Sequence, residues 1–246
     1  MNARRAAREK AETEFRRIVD AIPAVEIIPD PSVIKPRPFM EDFSQIKFSN
    51  ITAKTNREKL SDFVVVDVET TGLKTSSDEI TNVAAIRFRG WQPVEKFVCL
   101  CSTKRSIPDE VIQLNGITNE MLEGSPRFGA IAGQLTEFIG TDNIVGHNLE
   151  FDLKFLLRGG VDFLAKSRKY YDTLTIAQHT LKKPKMKWDK ELAFYDVDYE
   201  KDFDVLDHKL VSLCNYYGIV YLDAHRAEND ALVTGLLLNC LADDKK

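Results

Sequence analysis

Apolar residues run unbroken from Phe63 to Val66 and resume at Val68, with acids at 67 and 69, before Thr70-Thr71-Gly72 ends the segment. A continuous apolar run closed by a turn reads as a central strand covered on both faces. Two further strands are predicted around Gly90-Trp91-Gln92-Pro93, and a short one at Ile144-Val145 ahead of the turn Gly146-His147-Asn148. Helices follow, with Phe151, Phe155 and Leu156 at helical spacing, and a strongly apolar last helix passes through Leu236-Leu237-Leu238. Upstream, residues 3–20 read as a charged helix with a thin apolar face and with Arg5/Glu9, Arg8/Glu12 and Lys10/Glu14 four apart. Pro23, Pro29, Pro31, Pro36 and Pro38 then make residues 21–60 a semi-extended connector that either wraps the domain or reaches a partner. From residue 61 the pattern is mixed α/β layers. The charged and aromatic stretch 182–206 stands apart as an inserted loop or a set of short extra elements.

The acids inside the first strand carry the chemistry. Side chains two apart on a strand share a face, so Asp67 and Glu69 point the same way. Two carboxylates about 4 Å apart repel by roughly 4 kcal/mol at an effective dielectric of about 20, so either one is protonated or a cation lies between them. The alternative is an edge strand ending in solvated acids. Asp152 falls in the first turn of the helix after Asn148, beside large apolar residues. His225 and Asp230 open the last helix; on one helix they would lie about 140° apart, so they face a common site only if His225 belongs to the lead-in. Taken singly, an Asp on an apolar helix, as at 152 and 230, or a His before one, as at 225, is more often structural than functional.

Asp67-Val-Glu69-Thr-Thr-Gly72, Gly146-His147-Asn148 through Phe151-Asp152, and His225 with Asp230 occur in an order that resembles the DEDDh branch of the proofreading-type 3′-to-5′ exonucleases. This is the family that contains the exonuclease subunit of bacterial replicative DNA polymerase. Leu114-Asn115-Gly116-Ile117-Thr118, Asp172-Thr173-Leu174, and His208-Lys209-Leu210 up to Tyr217-Gly218-Ile219 match it as well. The resemblance implies a ribonuclease-H-like mixed sheet flanked by helices over residues 61–242, with residues 1–20 as a helical extension. It implies that Asp67, Glu69, Asp152 and Asp230 hold two Mg²⁺ (or Mn²⁺) and that His225 is the general base. Thr70, Thr71, Leu73, Asn148 and Phe151 would form the pocket for the terminal nucleotide. Phosphodiester hydrolysis requires charge neutralisation and an activated water, which a carboxylate-held metal pair with a neighbouring imidazole provides.

Composition narrows the partners. The chain has 246 residues, 43% hydrophobic and 29% charged, with a net charge of −4. That balance disfavours a grip on long duplex DNA and implies a local site contacting a few nucleotides; the resemblance implies that the partner is a nucleic acid with a free 3′ end, single-stranded DNA favoured. Basic residues gather at Arg4, Arg5, Arg8, Arg16 and Arg17 and at Lys182, Lys183, Lys185, Lys187 and Lys190, either as backbone contacts or as solvated faces. Residues 1–60 are the candidate attachment for a DNA polymerase or other protein. With no membrane span and no apolar run in the first 20 residues, a cytoplasmic protein is expected. Cys99, Cys101, Cys214 and Cys240 read as reduced core thiols. His147 is expected to shape its turn, and His179 and His208 to lie at a helix surface or core edge. Cleavage of RNA 3′ ends is the close functional rival. A non-catalytic binding module is the distant one, because a binder gains nothing from so costly a charge cluster.

Overall fold

The computed structural model describes residues 2–32, 46–164, 167–189 and 194–244. The elements are α1 (Asn2–Ala21), α2 (Arg57–Leu60), β1 (Phe63–Thr70), β2 (Ile80–Arg89), β3 (Gln92–Leu100) and α3 (Asp109–Asn115). After a 3₁₀ turn at Glu120–Leu122 come α4 (Phe128–Ile139), β4 (Asn143–Gly146), α5 (Leu149–Arg158), β5 (Tyr170–Asp172) and α6 (Thr173–Thr180). The hairpin β6 (Met186–Asp189) and β7 (Phe194–Val197) precedes α7 (Leu210–Tyr217) and α8 (Ala227–Asp243).

Five strands form one mixed sheet in the order β3-β2-β1-β4-β5, antiparallel on the β1–β2–β3 side and parallel across β1–β4–β5. β1 is central, which accounts for its apolar run. Phe63 and Val65 face a core shared with α6, α7 and α8, while Val64, Val66 and Val68 face a second core under α4 and α5. By the same alternation Asp67 and Glu69 lie on the α8 face. Helix α8 comes close to the sheet there. A Cβ on Gly235 would sit 2.3 Å from Phe88 Cζ, so only glycine allows this approach, and Phe88 in turn stacks on Phe63 at 4.8 Å.

Strand β5 is a departure from the expected run of helices after Ile144-Val145. Three residues are too few to show a period, and Tyr170–Asp172 are a strand because β4 offers its free edge. The thin face of α1 also does more than its composition suggests: Phe15 and Val19, with Ile22 just beyond, are buried in the α8-side core. Of the i,i+4 pairs, Arg8–Glu12 forms at 2.7 Å, whereas Glu14 is held by Arg17, three residues on, rather than by Lys10. The side chains of Arg4 and Arg5, and Lys190 altogether, lie outside the described residues.

The described parts of the connector wrap the domain along both edges of the sheet. Val25 N–H donates to Lys96 O at 2.9 Å and Lys96 N–H to Pro23 O at 2.8 Å on the β3 edge. Ser49 N–H donates to Tyr170 O at 2.7 Å on the β5 edge. Strand edges left open would template aggregation, so the wrap satisfies groups that the sheet alone leaves unpaired. All four cysteines are free thiols, three of them buried. No helix among the described residues is long and apolar enough to cross a membrane.

Candidate active site

The C-terminal ends of β1, β4 and β5 meet at one end of the sheet, and the acids converge there. Asp67 and Glu69 are the two partly exposed positions of an otherwise buried strand. Asp152, in the first turn of α5, is buried, and its Oδ1 accepts from Val68 N–H at 3.0 Å, which ties α5 to β1 between the two strand acids. Asp230 is buried in the first turn of α8, and its Oδ1 has no hydrogen-bond partner among the described residues. His225 precedes α8, as the wheel geometry requires, with a left-handed φ of 65° that non-glycine residues adopt mainly where structure imposes it. Its ring nitrogen and carboxylate oxygens of Glu69 and Asp230 all lie within 4.8 Å of one another, a spacing that suits a metal ion.

These carboxyls resist ionising together. Burial, then the charges of Asp230, Asp152 and Glu69, push Asp67 well above the carboxylate range. Burial lifts Glu69 to about 8, although an N–H from Asn115 and the nearby Arg226 favour its charge. Asp152 is likewise raised by burial against the pull of Val68 N–H. Asp230 reaches about 6 through burial, opposed by the Tyr221 hydroxyl and by His225. A cation would relieve this repulsion, and Glu69, Asp230 and His225 are the group among the described residues spaced so that they could hold one.

Asn115, Tyr221, Arg226 and Asp172 emerge only in the structure as supports of the cluster. Asn115 ends α3 ahead of Gly116, whose φ of 68° closes the helix. Its Oδ1 accepts from Ile117 N–H at 3.0 Å, which turns its amide nitrogen toward Glu69 Oε2 at 3.1 Å. The sequence match at Leu114–Thr118 marks the segment but not this task. Asp172 Oδ1 accepts from Asn148 N–H at 2.8 Å and Leu174 N–H at 3.1 Å, holding the turn before α5 against the start of α6. His147 braces the same turn through Thr173 Oγ1 at 2.9 Å, and burial pushes it down to about 4, which keeps it neutral. His208 Nε2 meets Leu181 O at 3.0 Å, and His179 Nδ1 bonds Thr175 O of its own helix at 2.7 Å.

The pocket residues divide into two groups. Thr70 and Thr71 are buried, and their hydroxyls are committed to the turn: Thr70 Oγ1 donates to Gly72 O at 2.6 Å, and Thr71 Oγ1 accepts from Glu79 N–H at 3.1 Å. Leu73 is 83% exposed, Asn148 is exposed with φ 62°, and Phe151 is half-buried against Phe155 at 4.9 Å. A cleft of about 650 Å³ opens beside Glu69, lined by Asn82, Leu100, Asn115, Asp223, Arg226 and Asn229 among others.

The fold is that of the ribonuclease-H-like exonucleases. It superimposes on E. coli exonuclease I in complex with a dT13 oligonucleotide with a TM-score of 0.57 at 18% identity, covering 74% of this chain and 41% of that one. Exonuclease X in complex with 5′-overhanging duplex DNA gives 0.54 at 18% identity, over 74% and 91%. The chain belongs to the exonuclease family described as RNase_T, whose sequence model matches residues 64–238. It is 32% identical over 174 residues to the DNA polymerase III subunit epsilon of Treponema pallidum, covering 70% of this chain and 72% of that protein. It is also 32% identical over 178 residues to the PolC-type DNA polymerase III of Oceanobacillus iheyensis, covering 72% of this chain. The chain spans only 11% of that polymerase's length.

Proposed function

We propose that this chain is a metal-dependent 3′-to-5′ exonuclease that hydrolyses phosphodiester bonds at DNA 3′ ends and releases nucleoside 5′-monophosphates. The observation that carries the reading is the mutually repelling set Asp67, Glu69, Asp152 and Asp230, in which Asp230 Oδ1 is buried with no hydrogen-bond partner among the described residues. A pair of Mg²⁺ or Mn²⁺ held by these four would neutralise charge on the phosphodiester and make the attacking water more acidic. His225, exposed and next to Glu69 and Asp230, takes the proton from that water. Asn115 orients Glu69, and Tyr221 with the Arg226 backbone orients Asp230, the two carboxylates that would hold the cations. Leu73, Asn148 and Phe151 offer surface to the terminal nucleotide, over a floor formed by Thr70 and Thr71.

On this reading residues 61–242 are the exonuclease domain, residues 1–20 and 21–60 brace it, and 182–206 is an insertion. A polymerase or other protein partner would meet the charged outer face of α1, since its apolar face is already buried. The deciding experiment follows 5′-labelled single-stranded DNA and RNA with Mg²⁺, with chelator, and with Asp67→Ala. We expect a ladder receding from the 3′ end of DNA, lost in chelator and in the variant. Faster digestion of RNA would shift the substrate to the 2′-hydroxyl polymer. Cuts within a circular strand, digestion from the 5′ end, or turnover in chelator would refute the reading.

A further inference from the structure

The hairpin formed by β6 and β7 belongs to no catalytic motif and to neither core. Its two strands pair only with each other, with Met186 opposite Val197 and Trp188 opposite Tyr195. Residues directly opposite on antiparallel strands share a face, so these four make one apolar surface. It is open to solvent: Met186 is 56% exposed, Trp188 48% and Tyr195 63%. The opposite face carries Lys187 and Asp196, with the exposed Phe194 farther along it. The Trp188 and Tyr195 rings meet edge-on at 5.0 Å, which leaves ring faces free to take further planar groups.

The neck of the hairpin is closed on itself and linked through His208 and His147 to the turn that carries Asn148. Lys182 N–H donates to Asp204 Oδ2 at 2.7 Å and Asp204 N–H returns to Lys182 O at 2.8 Å, closing the two ends on each other. Leu181 and Val205 are buried in the α8-side core at that point. His208 bonds Leu181 O and is close enough to His147 to act on its charge, and His147 braces the turn that presents Asn148 and Asp152. Three exposed lysines, Lys182, Lys183 and Lys185, line the way from this neck to β6, and among the described residues none is held in an ion pair.

We propose that the Met186–Trp188–Tyr195 face is a stacking platform for a single-stranded nucleic acid whose 3′ end occupies the carboxylate site. This rests on the exonuclease reading above. Unpaired cations leading to exposed aromatic faces complement a polyanion that carries planar bases, and base–aromatic stacking tolerates any sequence. A second copy of the chain suits the surface less well. Three or four side chains offer on the order of 400 Å², about half of the ~800 Å² per partner that a stable dimer buries.

The test uses the full chain with 12-mer oligothymidylate, 12-mer oligouridylate and the dinucleotide TpT. In a Trp91→Phe background Trp188 is the remaining tryptophan, so its fluorescence reports stacking directly. With Ca²⁺ in place of Mg²⁺ we expect saturable quenching by the 12-mers and none by TpT. Trp188→Ala should weaken 12-mer binding about tenfold or more, Tyr195→Ala should weaken it less, and Trp188→Phe should restore most of it. Hydrolysis of TpT should be unchanged in all three. Equal 12-mer affinity in wild type and Trp188→Ala overturns the proposal, as does a dimer that dissociates in Trp188→Ala while 12-mer affinity stays constant. If the wild type hydrolyses none of the three substrates, the exonuclease reading fails, and the Ca²⁺ titration still decides whether the platform binds nucleic acid. Quenching confined to oligouridylate would identify the strand as RNA.

Discussion

Asp230→Asn should make the metal-free protein more stable at pH 8 while abolishing hydrolysis. Folding moves this carboxyl from its ordinary 3.8 to about 6. A raised carboxyl pKa means that the folded state binds the proton more tightly than the unfolded one. Stability is therefore complete below about 3.8, declines as pH rises toward 6, and stays low above that. At about 1.4 kcal/mol per pH unit the charge on Asp230 costs the metal-free fold roughly 3 kcal/mol at pH 8. Asn keeps the acceptor that faces Tyr221 but cannot ionise, so the variant avoids that cost and also relieves Asp67 and Glu69. For a chain of this length 2–3 kcal/mol corresponds to a rise of roughly 5–10 °C in melting temperature. Circular-dichroism melts in chelator at pH 4.5, 6 and 8 should show a small difference between the two proteins at pH 4.5, most of it present by pH 6, and little further change from 6 to 8. Millimolar Mg²⁺ should raise the wild-type melting temperature and leave the variant nearly unmoved. A variant less stable than wild type in chelator at pH 8, or a difference constant across pH, would refute the charge-frustration argument.

His225→Asn, chosen because Asn accepts the left-handed backbone at this position, should lower turnover by roughly 10²–10⁴ while oligonucleotide binding in Ca²⁺ stays within about twofold; near-normal turnover would demote the imidazole to a structural part. Asn115→Ala removes the amide that orients Glu69 and should raise the Mg²⁺ concentration for half-maximal activity by about 10–100-fold, read by metal titration. Gly235→Ala would gain up to about 1 kcal/mol in an exposed helix, but its Cβ meets Phe88 here, so urea unfolding should show a net loss of about 1–3 kcal/mol. Phe15→Ala should cost about 3–5 kcal/mol in the same assay if α1 is part of the core, and almost nothing if it is a detachable extension.

The central strand was legible because burial on both faces forces an unbroken apolar run, and two acids within such a run have no cheap explanation. The lead-in position of His225 was legible for a similar reason, since helical geometry forbids the alternative. Strand β5 was not legible: Tyr170–Asp172 is too short for a period and forms in response to the β4 edge. The fate of the connector was equally hidden, because extended segments with prolines look alike whether they wrap or dangle. Only the backbone bonds to Lys96 and Tyr170 separate the two.

What the sequence supplied by itself is the family and an order of candidates: acids and a histidine in a fixed succession along an α/β chain, of which Glu69, His225 and Asp230 come together in the fold. Those features depend on local pattern, where residue type and spacing carry the information. The tertiary structure alone decided which polar groups serve the acids, because Asn115, Asp172 and Tyr221 approach them from loops and helix ends distant in sequence. It also decided how strongly the acids resist ionisation. That resistance comes from desolvation and from charges on other elements, and neither exists until β1, α5 and α8 enclose the site.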